Sequence, residues 1–179
     1  MKYLVVSDIH GSLYYTKFII NHFNKNNFDY LILLGDFLYH GARNNLTLDY
    51  NPKEVTLLLN SYKDKIIAIR GNCDSRVDEM VLDFPLSDNS YLIINDKLFF
   101  LTHGDIYNEF NLPNINKDCI LMYGHYHIPF IKKVNDITII NPGSISLPKN
   151  NTKNSFIEII DNKLTIKDID KNIIDELIF

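Results

Sequence analysis

The sequence predicts an α/β fold, of the α+β kind, with two β-sheets in a single domain that spans residues 1–179. The first observation is that short apolar runs alternate with amphipathic segments as far as Arg70, in the order strand, helix, strand, helix, strand. Because parallel strands need crossover connections, this order indicates a mostly parallel sheet. The second observation is a later half made of short apolar runs separated by turn residues, which is typical of antiparallel hairpins. No internal repeat or linker separates the two halves.

The first half contains three predicted strands and two predicted helices. The strands are the buried apolar runs Tyr3–Ser7, Tyr30–Leu34 and Lys65–Arg70. Ser12 is a suitable N-cap for the first helix, and His22 is predicted to lie on that helix's surface. Pro52 suits the first position of the second helix, which should run to about Tyr62.

The second half contains three predicted hairpins and one further strand. The hairpins pair Tyr91–Ile94 with Leu98–Leu101, Phe130–Val134 with Ile137–Ile140, and Phe156–Ile160 with Leu164–Ile169. Each pair is separated by two or three residues drawn from Asn, Asp and Lys, which is a turn signal. Cys119–Tyr123 is another apolar run, and the tail Asn172–Phe179 is either a final strand or a frayed end.

Composition favours a globular protein and argues against nucleic-acid-binding, secreted and membrane proteins. The chain has 179 residues, of which 46% are hydrophobic, so it is long enough to bury a core. A net charge of −4 argues against a dedicated nucleic-acid binder, although bound metal ions would still allow a phosphoester substrate. The start of the chain has no signal-peptide pattern, and no apolar stretch approaches the roughly 18 residues of a membrane helix. Because Cys73 and Cys119 match no disulfide framework or zinc spacing, we expect a cytoplasmic protein with reduced thiols. No membrane partner is expected either.

Six of the apolar runs end in polar residues beside a glycine. These ends are Asp8-Ile9-His10-Gly11, Gly35-Asp36, Gly71-Asn72-Cys73-Asp74, Thr102-His103-Gly104-Asp105, Gly124-His125-Tyr126-His127 and Asn141-Pro142-Gly143-Ser144. Each end alone is an ordinary turn or helix cap. However, turns need no histidine, and four of the chain's six histidines fall in this set. Functional residues of parallel sheets gather beyond the carboxyl ends of the strands, so the set indicates one site.

The side chains of this set are typical metal ligands. The candidate ligands are Asp8, His10, Asp36, Asn72, His103, His125 and His127. Oxygen donors mixed with imidazoles, without thiolate, favour Mn, Fe, Zn, Ni or Co over a structural zinc. Seven ligands are too many for one ion and suit two ions about 3.5–4 Å apart, bridged by one carboxylate. Such a pair would turn a bridging water into a hydroxide that attacks phosphorus in line.

The order of these motifs closely resembles that of the calcineurin-like metallophosphoesterases, from Met1 to about Pro148. The matching motifs are Asp-x-His, Gly-Asp, Gly-Asn-x-Asp, Thr-His-Gly and Gly-His-x-His. The forms of Gly71–Asp74, His40–Asn44 and Asn141–Ser144 look like the small bacterial phosphodiesterases of the YfcE type. The resemblance implies a four-layer α-β-β-α sandwich, with two mixed β-sheets flanked by helices.

The resemblance also implies a role for each ligand position. Asp8, His10 and His127 would hold the first metal ion, Asn72, His103 and His125 would hold the second, and Asp36 would bridge the two. Asp105 departs from the pattern, because close relatives often carry a second histidine there. We take His103 as the ligand, so this departure affects only the surroundings of the ion.

The second departure from the family's pattern is Cys73. Many members carry a histidine at this position, and a thiol is a poorer proton donor. We therefore expect diesters or activated esters to be preferred over alkyl monoesters. His40 and Arg43 lie in the loop after Asp36 and are expected to reach substrate, with Arg43 pairing with a phosphate oxygen and His40 assisting catalysis. Asp74 completes the predicted catalytic set of Asp36, Asn72, Cys73 and His40.

The sequence therefore favours a metal-dependent phosphodiesterase with a small phosphodiester or nucleotide-like substrate. We expect two divalent metal ions per chain, with Mn²⁺ first and Ni²⁺, Fe, Co²⁺ or Zn²⁺ as alternatives. The alternative function is a catalytically weak scaffold of the same fold that binds a protein partner. Such a scaffold should have lost ligands, whereas all seven positions here hold competent residues.

A nuclease that acts on long nucleic acid would need a basic surface or an added domain, so no stable nucleic-acid complex is expected. The oligomeric state is left open, since exposed strand edges in the second half could pair in a homo-oligomer.

Overall fold

The computed structural model describes residues 1–179 as two β-sheets packed face to face, with two α-helices. In chain order the elements are β1 (Lys2–Val6), α1 (Leu13–Lys25), β2 (Tyr30–Leu33), α2 (Pro52–Asn60), β3 (Ile66–Ile69), β4 (Leu86–Ser87), β5 (Asn89–Ile94), β6 (Lys97–Thr102), β7 (Ile120–Met122), β8 (Pro129–Val134), β9 (Ile137–Pro142), β10 (Ser155–Ile160), β11 (Lys163–Asp168) and β12 (Ile173–Ile178). Neither α-helix is long and apolar enough to cross a membrane.

The first sheet has seven strands in the order β12-β11-β10-β1-β2-β3-β4. Strands β1 to β4 are parallel to one another, as their alternation with helices predicts, and β10 to β12 add an antiparallel meander beside β1. The tail of the chain forms β12, which settles the choice between a strand and a frayed end. The two-residue strand β4 was not predicted, because so short a run has no periodicity.

The helices begin where the sequence predicts. The Ser12 side chain accepts a hydrogen bond from the amide of Tyr15 and caps α1. The Asn51 side chain accepts one from the amide of Glu54 and caps α2, with Pro52 at the first helical position. The N-terminus of each helix is therefore determined by local side-chain chemistry.

The second sheet has five strands in the order β5-β6-β7-β9-β8. Its central strands β6, β7 and β9 are parallel, and the hairpins β5-β6 and β8-β9 place an antiparallel strand at each edge. Both sheets are therefore mixed, as predicted.

Three apolar clusters hold the layers together. The first lies between the outer face of the first sheet and the helices, and includes Leu4, Leu31, Leu33, Ile19, Phe23, Val55 and Leu59. The second lies between the two sheets, and includes Val5, Ile32, Leu34, Phe99, Leu101, Met122, Ile140 and Ile157. The third lies on the outer face of the second sheet, and includes Phe100, Leu121, Tyr123 and Ile139. Successive residues of β1 and β2 alternate between the first two clusters, as the two-residue period of a strand requires.

The fourth layer differs from the expected helix. The outer face of the second sheet is covered by the segment between β6 and β7, which contains no α-helix and packs through Tyr107, Leu112 and Ile115. This segment contains Pro113 and several Asn and Asp residues, which disfavour helix formation. The Glu109 carboxylate anchors it by accepting hydrogen bonds from the Tyr123 hydroxyl and Lys132 Nζ. The two helices therefore cover one sheet only.

His22 is buried, although its position in α1 predicts a surface residue. Its Nε2 lies 2.7 Å from Glu158 Oε1, and Lys167 Nζ donates to Glu158 Oε2 at 2.6 Å. Although burial favours the neutral acid, His22 and Lys167 lower the pKa of Glu158 below its usual range. The prediction was wrong because β10, which is remote in sequence, brings a carboxylate beneath the helix.

The sheet arrangement brings the strand ends of both halves together. In both sheets the central strands are parallel, so their carboxyl ends lie at one edge. Hydrogen bonds join these edges directly, for example from the amide of Ile145 to the carbonyl of Ser7 and from the amide of His125 to Asp8 Oδ2. This edge is where the candidate ligands meet.

Candidate metal centre

The seven predicted ligands lie in loops that follow five strands of the two sheets. They are Asp8 and His10 after β1, Asp36 after β2, Asn72 after β3, His103 after β6, and His125 and His127 after β7. The side chains converge in two groups, which are described in turn below.

The backbone at most of these positions is in the left-handed region. The φ angles are 58° at Asp8, 48° at His10, 60° at Asp36, 62° at His125 and 60° at His127. Residues other than glycine rarely adopt this conformation, which costs on the order of 1–3 kcal/mol each and is concentrated at functional sites. The surrounding packing therefore holds these five residues against their local backbone preference and turns their side chains inward.

The first group contains Asp8, His10 and His127. Asp8 Oδ1 lies 3.1 Å from His127 Nε2 and 3.7 Å from His10 Nε2, and the two Nε2 atoms are 3.4 Å apart. Asp8 Oδ1 is buried and accepts no well-directed hydrogen bond. A buried carboxylate oxygen without a partner is rare, and a cation held by these three side chains would satisfy it.

Three imidazoles are oriented by backbone carbonyls. Nδ1 of His10 lies 2.8 Å from the Tyr39 carbonyl, Nδ1 of His103 lies 2.6 Å from the Leu34 carbonyl, and Nδ1 of His127 lies 2.6 Å from the Leu147 carbonyl. Because a carbonyl only accepts, each Nδ1 carries the proton. In the neutral ring the lone pair is then on Nε2, which faces the other candidate ligands.

The second group surrounds His103 Nε2. Asn72 Oδ1 lies 3.1 Å from this nitrogen, His125 Nδ1 lies 3.2 Å from it, and Asp36 Oδ1 lies 3.5 Å from it. The other carboxylate oxygen, Asp36 Oδ2, lies 3.6 Å from His10 Nε2 in the first group. Asp36 thus presents one oxygen to each group, which is the arrangement of a bridging carboxylate.

The donors suit divalent cations. Carboxylate oxygen, amide oxygen and neutral imidazole are ligands for first-row transition ions, and the ligand atoms of Asp8, His10 and His127 lie within 4.8 Å of one another. Burial lowers the pKa of His10 and His125, so both rings are ready to bind as neutral ligands. The residues therefore fit the metal ions that the motif pattern predicts.

The Asp74 carboxylate bonds the backbone around Asp36. Its Oδ2 accepts hydrogen bonds from the amides of Asp36 and Gly71, both at 2.7 Å, and its Oδ1 accepts one from the amide of Phe37 at 2.8 Å. Burial and the charge of Asp36 raise the pKa of Asp74 to about 7, although the three amides oppose this shift. The sequence predicts a catalytic role for Asp74, whereas the structure turns its carboxylate toward three backbone amides, which suits a positioning role.

Two glycines allow the carboxylates to approach the backbone. A Cβ at Gly71 would lie 2.1 Å from Asp36 Oδ1, and a Cβ at Gly124 would lie 1.8 Å from Ser7 Oγ and 2.7 Å from Asp8 Oδ2. Ser144 Oγ and Ser146 Oγ both donate to the carbonyl of Asp8, at 2.9 and 2.8 Å. The role of the two serines was not predicted, since only the fold brings them to Asp8.

An open cavity of about 690 Å³ lies over the candidate metal ligands. Its twelve lining residues are His10, Asp36, Tyr39, Gly41, Ala42, Arg43, Asn44, Asn72, Cys73, His125, His127 and Lys149. Asp8 and His103 are not among them. Arg43 lies in the lining as the sequence predicts, whereas Tyr39 and Lys149 were not predicted.

Cys73 lies beside the candidate ligands, as its position after Asn72 predicts. Its Sγ lies within 4.8 Å of the ligand atoms of His10 and Asp36, and its amide donates to Asp36 Oδ1 at 2.9 Å. Burial and the charge of Asp36 raise the pKa of the Cys73 thiol to about 12. Without metal the sulfur is therefore a protonated thiol that faces the cavity.

His40 does not line the cavity. Its ring packs edge-on against Tyr39 and Tyr50, with centroid distances of 4.7 and 5.3 Å, and its Nδ1 is 3.5 Å from the Tyr50 hydroxyl. Gly41 follows with a φ of 80°, which turns the chain so that residues 41–44 reach the cavity. The sequence predicted that His40 would reach the substrate, but the structure does not bring it there, because its ring packs between two tyrosines.

We expect metal binding to release about one proton per chain from His103 near neutral pH. Although burial opposes protonation, the hydrogen bond that His103 donates to the Asp36 carboxylate and the charges of Asp8 and Asp36 raise the pKa of His103 to about 10. The charged ring therefore stabilises the metal-free protein fully below the pKa of free imidazole, and this contribution is lost as the pH rises through about 10. Metal affinity should accordingly increase with pH in this range.

Calorimetric titration with Mn²⁺ in two buffers of different ionisation enthalpy measures the number of protons released per chain. The His103→Gln variant should lose the release, and the His22→Gln variant, altered far from the site, should retain it. The same heat in both buffers between pH 7 and 9 would show that His103 is neutral before the metal binds.

Comparison with known proteins agrees with this geometry. The model of the calcineurin-like phosphoesterase superfamily domain matches residues 1–161. Phosphodiesterase YfcE of Escherichia coli strain K12 is 41% identical over 157 residues, which cover 87% of this chain and 85% of that protein. The solved structure of E. coli YfcE, described as a phosphoesterase, superposes with a TM-score of 0.96 over 99% of both chains at 38% identity. Vps29 of Entamoeba histolytica, solved with Zn²⁺, shares the fold at 19% identity, with a TM-score of 0.62 over 99% of both chains.

Proposed function

We propose that this chain, which belongs to the calcineurin-like phosphoesterase superfamily and is a hydrolase of phosphoric esters, acts as a phosphodiesterase with two divalent metal ions. The observation that carries the proposal is the position of Asp36, with one oxygen near each of two groups of ligands. When bound, the two ions would activate water for in-line attack and neutralise the charge on the phosphoryl group.

Different residues of the chain would bind the two metal ions and the phosphoryl group. Asp8, His10 and His127 would hold one ion, Asn72, His103 and His125 would hold the other, and Asp36 would contact both. Arg43 lies in the cavity lining and can donate two parallel hydrogen bonds to phosphoryl oxygens, which positions the ester. Carbonyls behind the imidazoles keep the Nε2 lone pairs aimed at the ions, so little reorganisation is needed when substrate binds.

Mn²⁺ is the proposed native ion, with Ni²⁺, Fe, Co²⁺ and Zn²⁺ as alternatives that the same ligands accept. The absence of thiolate among the proposed ligands supports an ion that prefers oxygen and nitrogen donors. The substrate is a small phosphodiester or a nucleotide-like ester, since the cavity of about 690 Å³ has the size of a small-molecule site.

We expect the thiol of Cys73 to restrict the enzyme to good leaving groups. A protonated thiol with a pKa of about 12 is a weak acid and carries no positive charge, so it gives little help to a departing alkoxide. The Cys73→His variant should raise kcat/KM for glycerol 2-phosphate by about 100-fold, in the range of general acid catalysis. It should change kcat/KM for bis(p-nitrophenyl) phosphate little, because p-nitrophenolate leaves without a proton.

The Cys73→Ser variant is the matched control, since it keeps a small neutral side chain. It should behave like the wild type with both substrates. A wild-type enzyme that hydrolyses glycerol 2-phosphate as well as the diester would contradict the proposed preference.

The alternative of an inactive scaffold for a protein partner is less consistent with the site. A scaffold needs no unpartnered carboxylate oxygen in its interior, yet Asp8 Oδ1 is buried without one. It also needs no left-handed backbone at five ligand positions. Both features have a cost in stability that metal binding would offset.

The experiment that tests the proposal uses protein stripped of metal. Hydrolysis of bis(p-nitrophenyl) phosphate and of p-nitrophenyl phosphate is measured with Mn²⁺, Ni²⁺, Co²⁺, Zn²⁺, Mg²⁺ or no added metal. We expect hydrolysis only with metal, greatest with Mn²⁺, and a higher kcat/KM for the diester. No hydrolysis with any metal by protein that binds two ions per chain would favour the scaffold.

A further inference from the structure

One of the six polar strand ends supplies no candidate metal ligand. It is the end of β9, Asn141-Pro142-Gly143-Ser144, whereas the other five ends provide all seven ligands. The residues of this end are buried, and so is the nearby Ser146. Buried polar side chains are nearly always hydrogen-bonded, so the partners of the two serines indicate what this strand end does.

The hydroxyls of both serines converge on the backbone of Asp8. Ser144 Oγ and Ser146 Oγ donate to the Asp8 carbonyl at 2.9 and 2.8 Å. The Asp8 amide donates to the Gly35 carbonyl at 3.1 Å, and Asp8 Oδ2 accepts a hydrogen bond from the amide of His125 at 3.1 Å. Among the polar atoms of Asp8, only Oδ1 is therefore without a hydrogen-bond partner.

The two hydroxyls act at a strained backbone position. The φ angle of Asp8 is 58°, in the left-handed region that residues other than glycine rarely adopt. Two donors occupy both lone pairs of the Asp8 carbonyl and fix its direction. Relaxation of this backbone would give Oδ1 a route to a hydrogen bond and would move it relative to His10 and His127. The hydroxyls therefore oppose a movement that the burial of Oδ1 favours.

Ser144 also orients a second ligand of the first group. Its Oγ accepts hydrogen bonds from the amides of Ser146 and Leu147, at 3.2 and 2.8 Å. This turn directs the Leu147 carbonyl to Nδ1 of His127, at 2.6 Å. One hydroxyl thus contacts the backbone of Asp8 directly and acts on His127 through Leu147.

The segment that carries the serines has further anchors. The amide of Ile145 donates to the Ser7 carbonyl at 3.2 Å, and Asn154 Nδ2 donates to the Ile145 carbonyl at 2.9 Å. The amide of Ser155 donates to the Ser144 carbonyl at 3.2 Å. Because these contacts use backbone groups of the segment, the loss of one serine hydroxyl should leave the segment in place.

We infer that Ser144 and Ser146 are positioning residues for the metal ion of the first group, because their hydroxyls hold Asp8 in the conformation that leaves Oδ1 free for the ion. The inference rests on the proposed function. Neither serine lines the cavity, so neither is placed to contact the substrate. Their hydroxyls contact only Asp8 among the candidate ligands, so the ion of the second group should be affected much less.

Release of metal from the Mn²⁺-loaded protein tests the inference. Wild type and variants are dialysed against decreasing free Mn²⁺, and the bound metal per chain is measured. In Ser146→Ala we expect the affinity for one ion to fall about 10-fold, and in Ser144→Ala about 100-fold, since the second change also removes the acceptor behind Leu147. The other ion should keep nearly wild-type affinity. At a Mn²⁺ concentration that loads wild type with two ions, the electron paramagnetic resonance spectrum of Ser144→Ala should be that of isolated Mn²⁺, without the signal of a coupled pair.

Ser155→Ala is the matched control. The Ser155 hydroxyl is also buried and donates to a backbone carbonyl, that of Pro142, at 2.6 Å, but it contacts no candidate ligand. Its removal should lower the free energy of unfolding as Ser146→Ala does, yet leave the affinity for both ions unchanged. Wild-type affinities in Ser144→Ala and Ser146→Ala, equal weakening of both ions, or the same weakening in Ser155→Ala would overturn the inference. Wild-type protein that binds fewer than two Mn²⁺ ions would instead contradict the proposed function, so the two failures are distinguishable.

Discussion

Replacing Asp36 by asparagine should lower kcat/KM for bis(p-nitrophenyl) phosphate by about 1,000-fold or more, because two-metal catalysis depends on both ions together. Asp36 is buried, and its two oxygens lie 3.5 Å from His103 Nε2 and 3.6 Å from His10 Nε2. An amide has only one oxygen and no charge, so it can serve one group of ligands but not both. The substituted side chain would also place its amide NH₂ group near one imidazole nitrogen.

Asp83→Asn is the matched control for this change, since Asp83 is an exposed aspartate 4.0 Å from Lys63 and far from the ligands. It should have wild-type activity with Mn²⁺. Bound metal should fall in the Asp36→Asn protein together with activity. Retention of more than about a tenth of the wild-type kcat/KM would mean that Asp36 does not join the two ions.

Replacing Asp74 by alanine should lower the free energy of unfolding of the metal-free protein by about 3 kcal/mol or more. Three backbone amides, those of Asp36, Phe37 and Gly71, would lose their acceptor in a buried site. The same change should weaken metal binding about 10- to 100-fold, because Asp74 holds the backbone of Asp36 in its left-handed conformation. Chemical denaturation and Mn²⁺ titration measure the two effects.

The Asp74→Asn variant keeps one acceptor oxygen for the backbone amides. Its free energy of unfolding should therefore fall less than that of Asp74→Ala. Asp83→Ala should change the free energy of unfolding by less than about 0.5 kcal/mol. Wild-type stability and metal affinity in Asp74→Ala would show that the three amides find other partners, and that Asp74 does not position Asp36.

The predictable parts of the fold and site depend on local chemistry. Apolar runs predict the strands, and short turns of Asn, Asp and Lys predict the hairpins. Ser12 and Pro52 predict where α1 and α2 begin. The convergence of the seven candidate ligands at one edge was predictable for a related reason. Each lies just past an apolar run beside a glycine, and parallel strands bring such ends to one edge of a sheet.

The residues that sequence reasoning missed are positioned by long-range contacts. Lys149 lies in the cavity lining, where its amide donates to the His127 carbonyl, and the Ser146 hydroxyl donates to the Asp8 carbonyl. The sequence predicts a surface position for His22 because its partner Glu158 is remote in sequence. The loop position of His40 predicts that it reaches the substrate, whereas contacts with Tyr39 and Tyr50 hold its ring outside the cavity.

The central claim is that two ions, joined by Asp36, are required for phosphodiester hydrolysis. The most direct measurement adds Mn²⁺ stepwise to metal-free protein and determines, on each sample, the bound metal per chain and the rate with bis(p-nitrophenyl) phosphate. We predict that the rate stays low with one ion bound and rises to its maximum as the second ion binds. Full activity with one ion per chain, or no activity with two, would contradict the claim.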